Sequence, residues 1–212
     1  PLALVHIDGD AMEKIAHGGL APSDWVRRWG SLLPAGGTVL DVACGQGRHV
    51  RWFAALGHPV TGVDRAEDAL AGLSGLAETV LADIENGPWP LVQAGQPRQF
   101  DAVVVTNYLW RPLLPTLAAS VAPGGLLIYE TFAAGNETVG RPANPDFLLQ
   151  PGELLARFAD WRVIGFEDGF LPQPERFVQR LCAVRPGGPA KSGPQRYPLS
   201  LESGLTSSNR QP

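Results

Sequence analysis

The segment Asp41-Val42-Ala43-Cys44-Gly45-Gln46-Gly47-Arg48-His49 follows directly on the apolar run Thr38-Val39-Leu40. Strand-forming residues give way there to two glycines two apart, after which Val50, Phe53, Ala54 and Gly57 recur at helical spacing. A strand, a glycine turn and a helix in that order let the backbone approach a ligand at a helix N-terminus. A dinucleotide loop of the G-x-G-x-x-G kind would need a third glycine at position 50, where this chain has Val50. That bulk favours a nucleoside ligand without a pyrophosphate over NAD.

The 212 residues suit one domain with a sizeable core. The net charge of −4 gives no support for a basic, nucleic-acid-gripping face, although Arg27, Arg28, Arg48 and Arg51 lie close together in sequence. Cys44 and Cys182 are too few for a disulfide framework and read as buried thiols. No apolar run approaches the roughly 20 residues that cross a bilayer, and the chain does not open on a signal peptide. The expectation is a cytoplasmic protein with no membrane contact and no metal, a monomer or homodimer.

Strand and helix patterns alternate along the chain. A helix over 22–33, started by Ser23-Asp24, places Trp25, Trp29, Leu32 and Leu33 on one face. Strands are expected at 39–43, 59–63, 79–82, 100–106 and 126–129, with helices at 47–57, around 69–73 and at 112–121. The run Ala102-Val103-Val104-Val105 has the continuous apolar character of a strand covered on both faces. A helix from Glu153 precedes two late strands, 161–166 and 176–184, joined only through Pro172 and Pro174, so the last should return antiparallel. This succession specifies a doubly wound, mostly parallel α/β sheet with helices on both faces. The segment 133–150 reads as a long connection, of the kind that serves as a lid. Gly, Pro and Ser make up half of residues 186–212, which are expected to be a disordered tail. The domain is therefore drawn as 22–185, with 1–21 as an N-terminal segment.

In an open parallel sheet, ligands sit beyond the C-terminal ends of the strands. Four strands here end in polar residues at that edge: Asp41 with its glycines, Asp64, Asp83 and Asn107. Asp64, 17 residues past Gly47, is placed to accept both hydroxyls of an unphosphorylated ribose. Asp83 can accept from an exocyclic amine such as that of adenine, and Ile84 can cover one face of the base. Together these residues describe an adenosine carrying a short polar extension.

The Asp41-to-Gly47 signature, Asp64, Ala82-Asp83-Ile84 and Pro123-Gly124-Gly125 resemble, strand by strand, the class I S-adenosylmethionine-dependent methyltransferases over about residues 20 to 185. The resemblance implies a seven-stranded sheet of order 3-2-1-4-5-7-6 with strand 7 antiparallel, and S-adenosyl-L-methionine as cofactor. It assigns Asp41, Ala43, Gly45 and Gly47 to the methionine end of that cofactor. It assigns Asp64 and the adjoining Arg65 to the ribose side, Asp83 and Ile84 to adenine, and Asn107 to the position beneath the sulfonium. Tyr129-Glu130-Thr131-Phe132 and Gly135-Asn136 are similar to the small bacterial tellurite-resistance-type, small-molecule branch of the family.

For such an enzyme the methyl group arrives activated, and catalysis is largely positioning. Acceptor-side candidates follow the fourth and fifth strands: Tyr108, Trp110, Arg111, Tyr129, Glu130 and Asn136, with Arg141 in the expected lid. Tyr108 and Glu130 are the candidates for a direct catalytic role, Glu130 as the base if one is used. Asn107-Tyr108-Leu109-Trp110 lacks the two prolines of the Asn-Pro-Pro-Tyr pattern found in amino-group methyltransferases. The expected acceptor is a small molecule. Alternatives are an RNA or protein acceptor, a non-catalytic S-adenosylmethionine-binding protein, or a nicotinamide-dependent oxidoreductase.

Overall fold

The computed structural model describes residues 21–188 and 195–199. The expected N-terminal segment, apart from Ala21, and most of the expected tail lie outside those residues.

Helix α1 (Asp24–Gly30) starts where Ser23 Oγ accepts the Trp25 N–H at 3.1 Å, closing one open donor of the first turn. It is shorter than the periodicity predicts, because Leu32 and Leu33 fall in the turn that follows. Next come β1 (Val39–Val42), α2 (Arg48–Ala55), β2 (Val60–Asp64), α3 (Glu67–Ala71) and β3 (Glu78–Leu81). A hairpin of two-residue strands, β4 (Val92–Gln93) and β5 (Gln96–Pro97), precedes β6 (Phe100–Thr106). Then follow α4 (Leu114–Ser120), β7 (Val121–Phe132), α5 (Glu153–Arg157), β8 (Arg162–Pro172) and β9 (Glu175–Val184).

Seven strands form one sheet in the order β3-β2-β1-β6-β7-β9-β8. Counted by sheet strands alone this is 3-2-1-4-5-7-6, as expected. All neighbours are parallel except β9, which runs antiparallel to both β7 and β8.

The sheet is covered on both faces, so alternate residues of each central strand enter different cores. Leu40, Val103, Val105, Leu127 and Tyr129 join Leu113, Leu117, Leu154 and Phe158 on one side. Val39, Val104, Ile128 and Cys182 meet Trp25, Trp29, Val50 and Phe53 on the other. Burying a side chain of this size stabilises the fold by about 1.5–3 kcal/mol. Both cysteines are free and buried, as expected.

Two segments depart from the sequence expectations. The residues Pro123-Gly124-Gly125 belong to a bulge in β7: Val121 already pairs with Phe100, and pairing resumes at Leu126 opposite Ala102. The connection 133–150 is also not structureless. It holds 3-10 turns at Asn136–Thr138 and Pro145–Phe147, and its ends are bridged by Ala133 and Leu149. Leu148 and Leu149 are buried, so only the middle of the segment is free of the core.

Residues 195–199 lie back against the body, with the Arg162 guanidinium 5.0 Å from the Tyr197 ring and Arg28 donating to the Leu199 carbonyl at 2.9 Å.

Candidate active site

The parallel register sets Asp41 beside Gly62 and Val104, at the edge where β1, β2 and β6 end together. Beyond β1 the backbone is left-handed at Ala43 (φ 52°), Gly45 (φ 52°) and Gly47 (φ 72°). Gly47 must be glycine on two counts, its positive φ and a Leu73 methyl that would stand 2.4 Å from an added Cβ. The bulk at Val50 is accommodated by a glycine on the facing strand: a Cβ on Gly62 would meet Cys44 Sγ at 3.0 Å and Val50 at 3.3 Å. Close packing of helix on strand, which the dinucleotide motif obtains from its third glycine, comes here from β2.

Asp64 ties this loop down. Its Oδ2 accepts the Gly45 N–H at 2.7 Å and its Oδ1 the Ala66 N–H at 2.9 Å. Each oxygen keeps a lone pair for a further donor. Asp41 differs sharply, being 1% exposed with neither carboxylate oxygen in a hydrogen bond. Burial pushes its carboxyl up to about 7, with the Arg48 charge as the main offset. His49 lies beside it, Nδ1 3.9 Å from Asp41 Oδ2. Its Nε2 accepts the Ser23 N–H at 3.1 Å, and burial drives its pKa down to about 3. His49 is therefore a neutral clamp between α2 and the start of α1.

A cavity of about 210 Å³ opens beside the loop, bounded by Ala43, Asp64, Asp83, Ile84 and Tyr108, with Arg65 and Glu85 also lining it. Asp83 Oδ1 accepts from the Glu85 and Asn86 N–H groups, and Oδ2 from the Asn86 side chain. These bonds, the Asn86 amide first, hold its pKa below the usual carboxylate value. A larger cavity, about 580 Å³, lies at the opposite edge of the sheet among Leu33, Asp101, Gly125, Trp161 and Arg185, away from the strand ends that carry the glycine loop.

The residues expected on the acceptor side separate into different roles. Asn107 is exposed with a left-handed φ of 54°, and its N–H donates to the Glu130 carbonyl at 2.9 Å. Tyr108 turns into the cavity with Asp64 and Asp83 rather than toward an acceptor. Tyr129 is fully buried and its hydroxyl donates to the Tyr108 carbonyl, which makes it a strut. Trp110 packs on the core. Arg111 fastens the 145–153 segment, donating to Glu153 and to the carbonyls of Asp146 and Leu148. Asn136, 1% exposed, donates to the Pro142 carbonyl and accepts from the Phe177 N–H. Arg141 is exposed. Glu130 is ion-paired to Arg180 at 2.7 Å, stands 4.0 Å from Arg176, and accepts from Ser23 Oγ at 3.1 Å. A carboxylate so held is an anchor.

Sequence reasoning passed over Arg176, Arg180 and Ser23. The available signal was Arg176 and Arg180 four apart on one face of a late strand. Through Glu130 and Ser23 these arginines connect to His49, which packs beside Asp41. Arg176 Nε is buried without a hydrogen-bond partner.

Fold and site together define a Rossmann-like nucleoside-binding enzyme scaffold. The unpartnered Asp41 carboxyl, the left-handed glycine loop and the Asp64–Asp83 cavity fit S-adenosylmethionine, whose amino-acid end carries an ammonium beside its carboxylate and whose other end is an adenosine. A family model described as "Methyltransferase domain" matches residues 39–125. The chain is 32% identical over 172 residues to a ubiquinone biosynthesis O-methyltransferase of Bordetella avium, covering 78% of this chain and 68% of that protein. It is 26% identical over 137 residues to a probable S-adenosyl-L-methionine-dependent methyltransferase TehB of Haemophilus influenzae, covering 61% of this chain and 48% of that one. The crystal structure of TehB from Haemophilus influenzae superposes with a TM-score of 0.64 at 22% identity, over 83% of this chain and 66% of that one, a likeness of fold. The chain belongs to the class I S-adenosylmethionine-dependent methyltransferases, and that membership implies S-adenosyl-L-methionine as methyl donor. It spans about half the length of several curated relatives that it matches. Among the described residues no helix is long and apolar enough to cross a membrane.

Proposed function

We propose that this protein transfers a methyl group from S-adenosyl-L-methionine to a small-molecule acceptor that presents an anionic oxygen or a comparable nucleophile. The observation that carries this reading is the buried Glu130–Arg180 pair, with side chains 2% and 12% exposed, which makes the acceptor corner confined rather than an open groove. Arg180 is shared between Glu130 and Glu167, while Arg176 stands 4.0 Å from Glu130 with its Nε donor unpartnered.

The bound sulfonium supplies an activated methyl group, so the chain's own work is placement and exclusion of water. Asp41 and the 43–47 loop would hold the amino-acid end, Asp64 with Arg65 beside it the ribose, and Asp83 with Ile84 the base. Asn107 would close the site on the sulfonium side. Arg176 orients the nucleophile, while the Ser23–Glu130–Arg180 contacts keep the wall dry. His49, held neutral and engaged at Nε2, is not placed to take a proton, and Glu130 is occupied by Arg180 and Ser23. The acceptor therefore enters already deprotonated.

The test measures S-adenosylhomocysteine formation with phenolate, thiolate, carboxylate and inorganic oxyanion acceptors, with RNA and protein acceptors alongside. Turnover on a small anion that Arg176→Met abolishes, with S-adenosylhomocysteine binding kept, supports the reading. Turnover on RNA or protein alone, or binding without any turnover, overturns it.

A further inference from the structure

Three contacts fix Ser23 at the start of α1. Its main-chain N–H donates to His49 Nε2 at 3.1 Å, and its Oγ accepts the Trp25 N–H at 3.1 Å as the helix cap. With backbone and oxygen both held, the hydroxyl proton is aimed at Glu130, donating to Oε2 at 3.1 Å. Among the described residues this is the only hydrogen bond that the Glu130 carboxylate receives, although the residue is 1% exposed.

The two guanidiniums beside Glu130 attract it without aligning it. Arg180 Nε lies 2.7 Å from the same oxygen, Oε2, but without the alignment of a hydrogen bond. The Arg180 fork is oriented instead by donation to Glu167 at 3.2 Å and by the Trp25 ring 5.8 Å away. Arg176 faces the other oxygen, Oε1, from 4.0 Å, about 1 Å beyond the roughly 2.7–2.9 Å of a charge-assisted hydrogen bond. Its Nε is buried without an acceptor. Opposite charges this close in a confined site move together unless another bond sets the rotation of the carboxylate. The directed bond from Ser23 to Oε2 sets it, and so holds Oε1 short of Arg176.

We infer that Ser23 is a positioning residue for the acceptor: by holding Glu130 through Oε2 it keeps that carboxylate from capturing Arg176, whose donors stay open to an anion. This rests on the small anionic acceptor proposed above. Glu130 then keeps its charge beside both arginines without closing on Arg176.

Ser23→Gly isolates the hydroxyl, because the main-chain bond to His49 survives and glycine is a tolerated helix cap. Calorimetry on the intact chain loaded with S-adenosylhomocysteine measures the binding of two probes, inorganic phosphate and 4-nitrophenolate, to wild type, Ser23→Gly and Ser23→Thr. Anion binding should be about tenfold weaker in Ser23→Gly and return to about the wild-type value in Ser23→Thr, which restores cap and hydroxyl together. S-adenosylhomocysteine affinity and melting temperature should stay close to wild type in both variants. Unchanged anion affinity in a folded Ser23→Gly overturns the inference and leaves the acceptor reading standing. An equal loss of S-adenosylhomocysteine affinity, or no recovery in Ser23→Thr, also overturns it and limits Ser23 to the docking of α1. A wild type that binds neither anion refutes the acceptor reading and the inference with it.

Discussion

Asp41→Asn should convert the pH dependence of stability in a way that no surface carboxylate could. In the folded protein burial holds Asp41 at about 7 against an ordinary 3.8, and His49 at about 3 against 6.5. Between pH 4 and 7 folded Asp41 retains a proton that the unfolded chain releases, so its contribution to stability falls as pH rises. Between pH 3 and 6.5 the unfolded chain's His49 binds a proton that the folded state refuses, so its contribution rises with pH. In the shared window each slope is about 1.4 kcal/mol per pH unit, and the two nearly cancel in the wild type. Asn removes only the first. Relative to wild type, the variant should therefore gain about 1.4 kcal/mol per unit from pH 4.5 to 6.5, approaching roughly 4 kcal/mol by pH 7. His49→Gln should show a difference of the opposite sign over the same range. Urea unfolding followed by tryptophan fluorescence at half-unit pH steps measures both. A difference between Asp41→Asn and wild type that does not change with pH would refute the premise that Asp41 is buried without a partner.

Three further outcomes follow from the contacts. Gly47→Ala forces a left-handed alanine and drives its Cβ to 2.4 Å from Leu73, which should cost about 3 kcal/mol and roughly 6–12 °C in calorimetric Tm; an unchanged Tm would mean the loop is not held as described. Arg111→Ala removes the bonds to Glu153 and to two loop carbonyls, lowering stability by about 2 kcal/mol and speeding protease cleavage within 137–147, while Arg111→Lys should recover under half of the loss. Arg176→Met should lower turnover about 100-fold with S-adenosylhomocysteine affinity within twofold of wild type, and an equal loss of both would place Arg176 on the cofactor instead.

The sheet was readable because strands covered on both faces carry continuous apolar runs, as in Ala102 to Val105, and the glycine loop was readable from residue type and position alone. The cavity with Asp64 and Asp83 follows from the same rule about strand ends. Less legible was anything decided by a single backbone angle or a distant partner. The β4–β5 hairpin has strands too short to show a period, and of its two left-handed turn residues, Ala94 (φ 50°) and Gly95 (φ 76°), only the second is a usual turn former. Direction also escaped the spacing: Tyr108 lines the Asp64–Asp83 cavity directly after the left-handed Asn107. The 133–150 segment is fastened by Arg111, Asn136 and Gln179, whose partners lie up to 42 residues away, and no local pattern encodes such contacts. The ion pairing of Glu130 was hidden for the same reason, since its guanidinium partners come from a strand 50 residues later (Glu130 opposite Arg180).

The reversed direction of β9 divides labour along the chain. The loops that end β1, β2, β3 and β6 are complete by Asn107, whereas the wall proposed for the acceptor depends on residues that arrive after the β8–β9 turn at Gln173-Pro174, which lies at the same edge of the sheet. Because the hairpin is the sheet's last pair, lengthening that turn or exchanging Arg176 leaves every parallel register untouched. One half of the molecule can thus stay constant as a methyl-donor holder while the other is retuned to new acceptors, with the hairpin tip as the adjustable part.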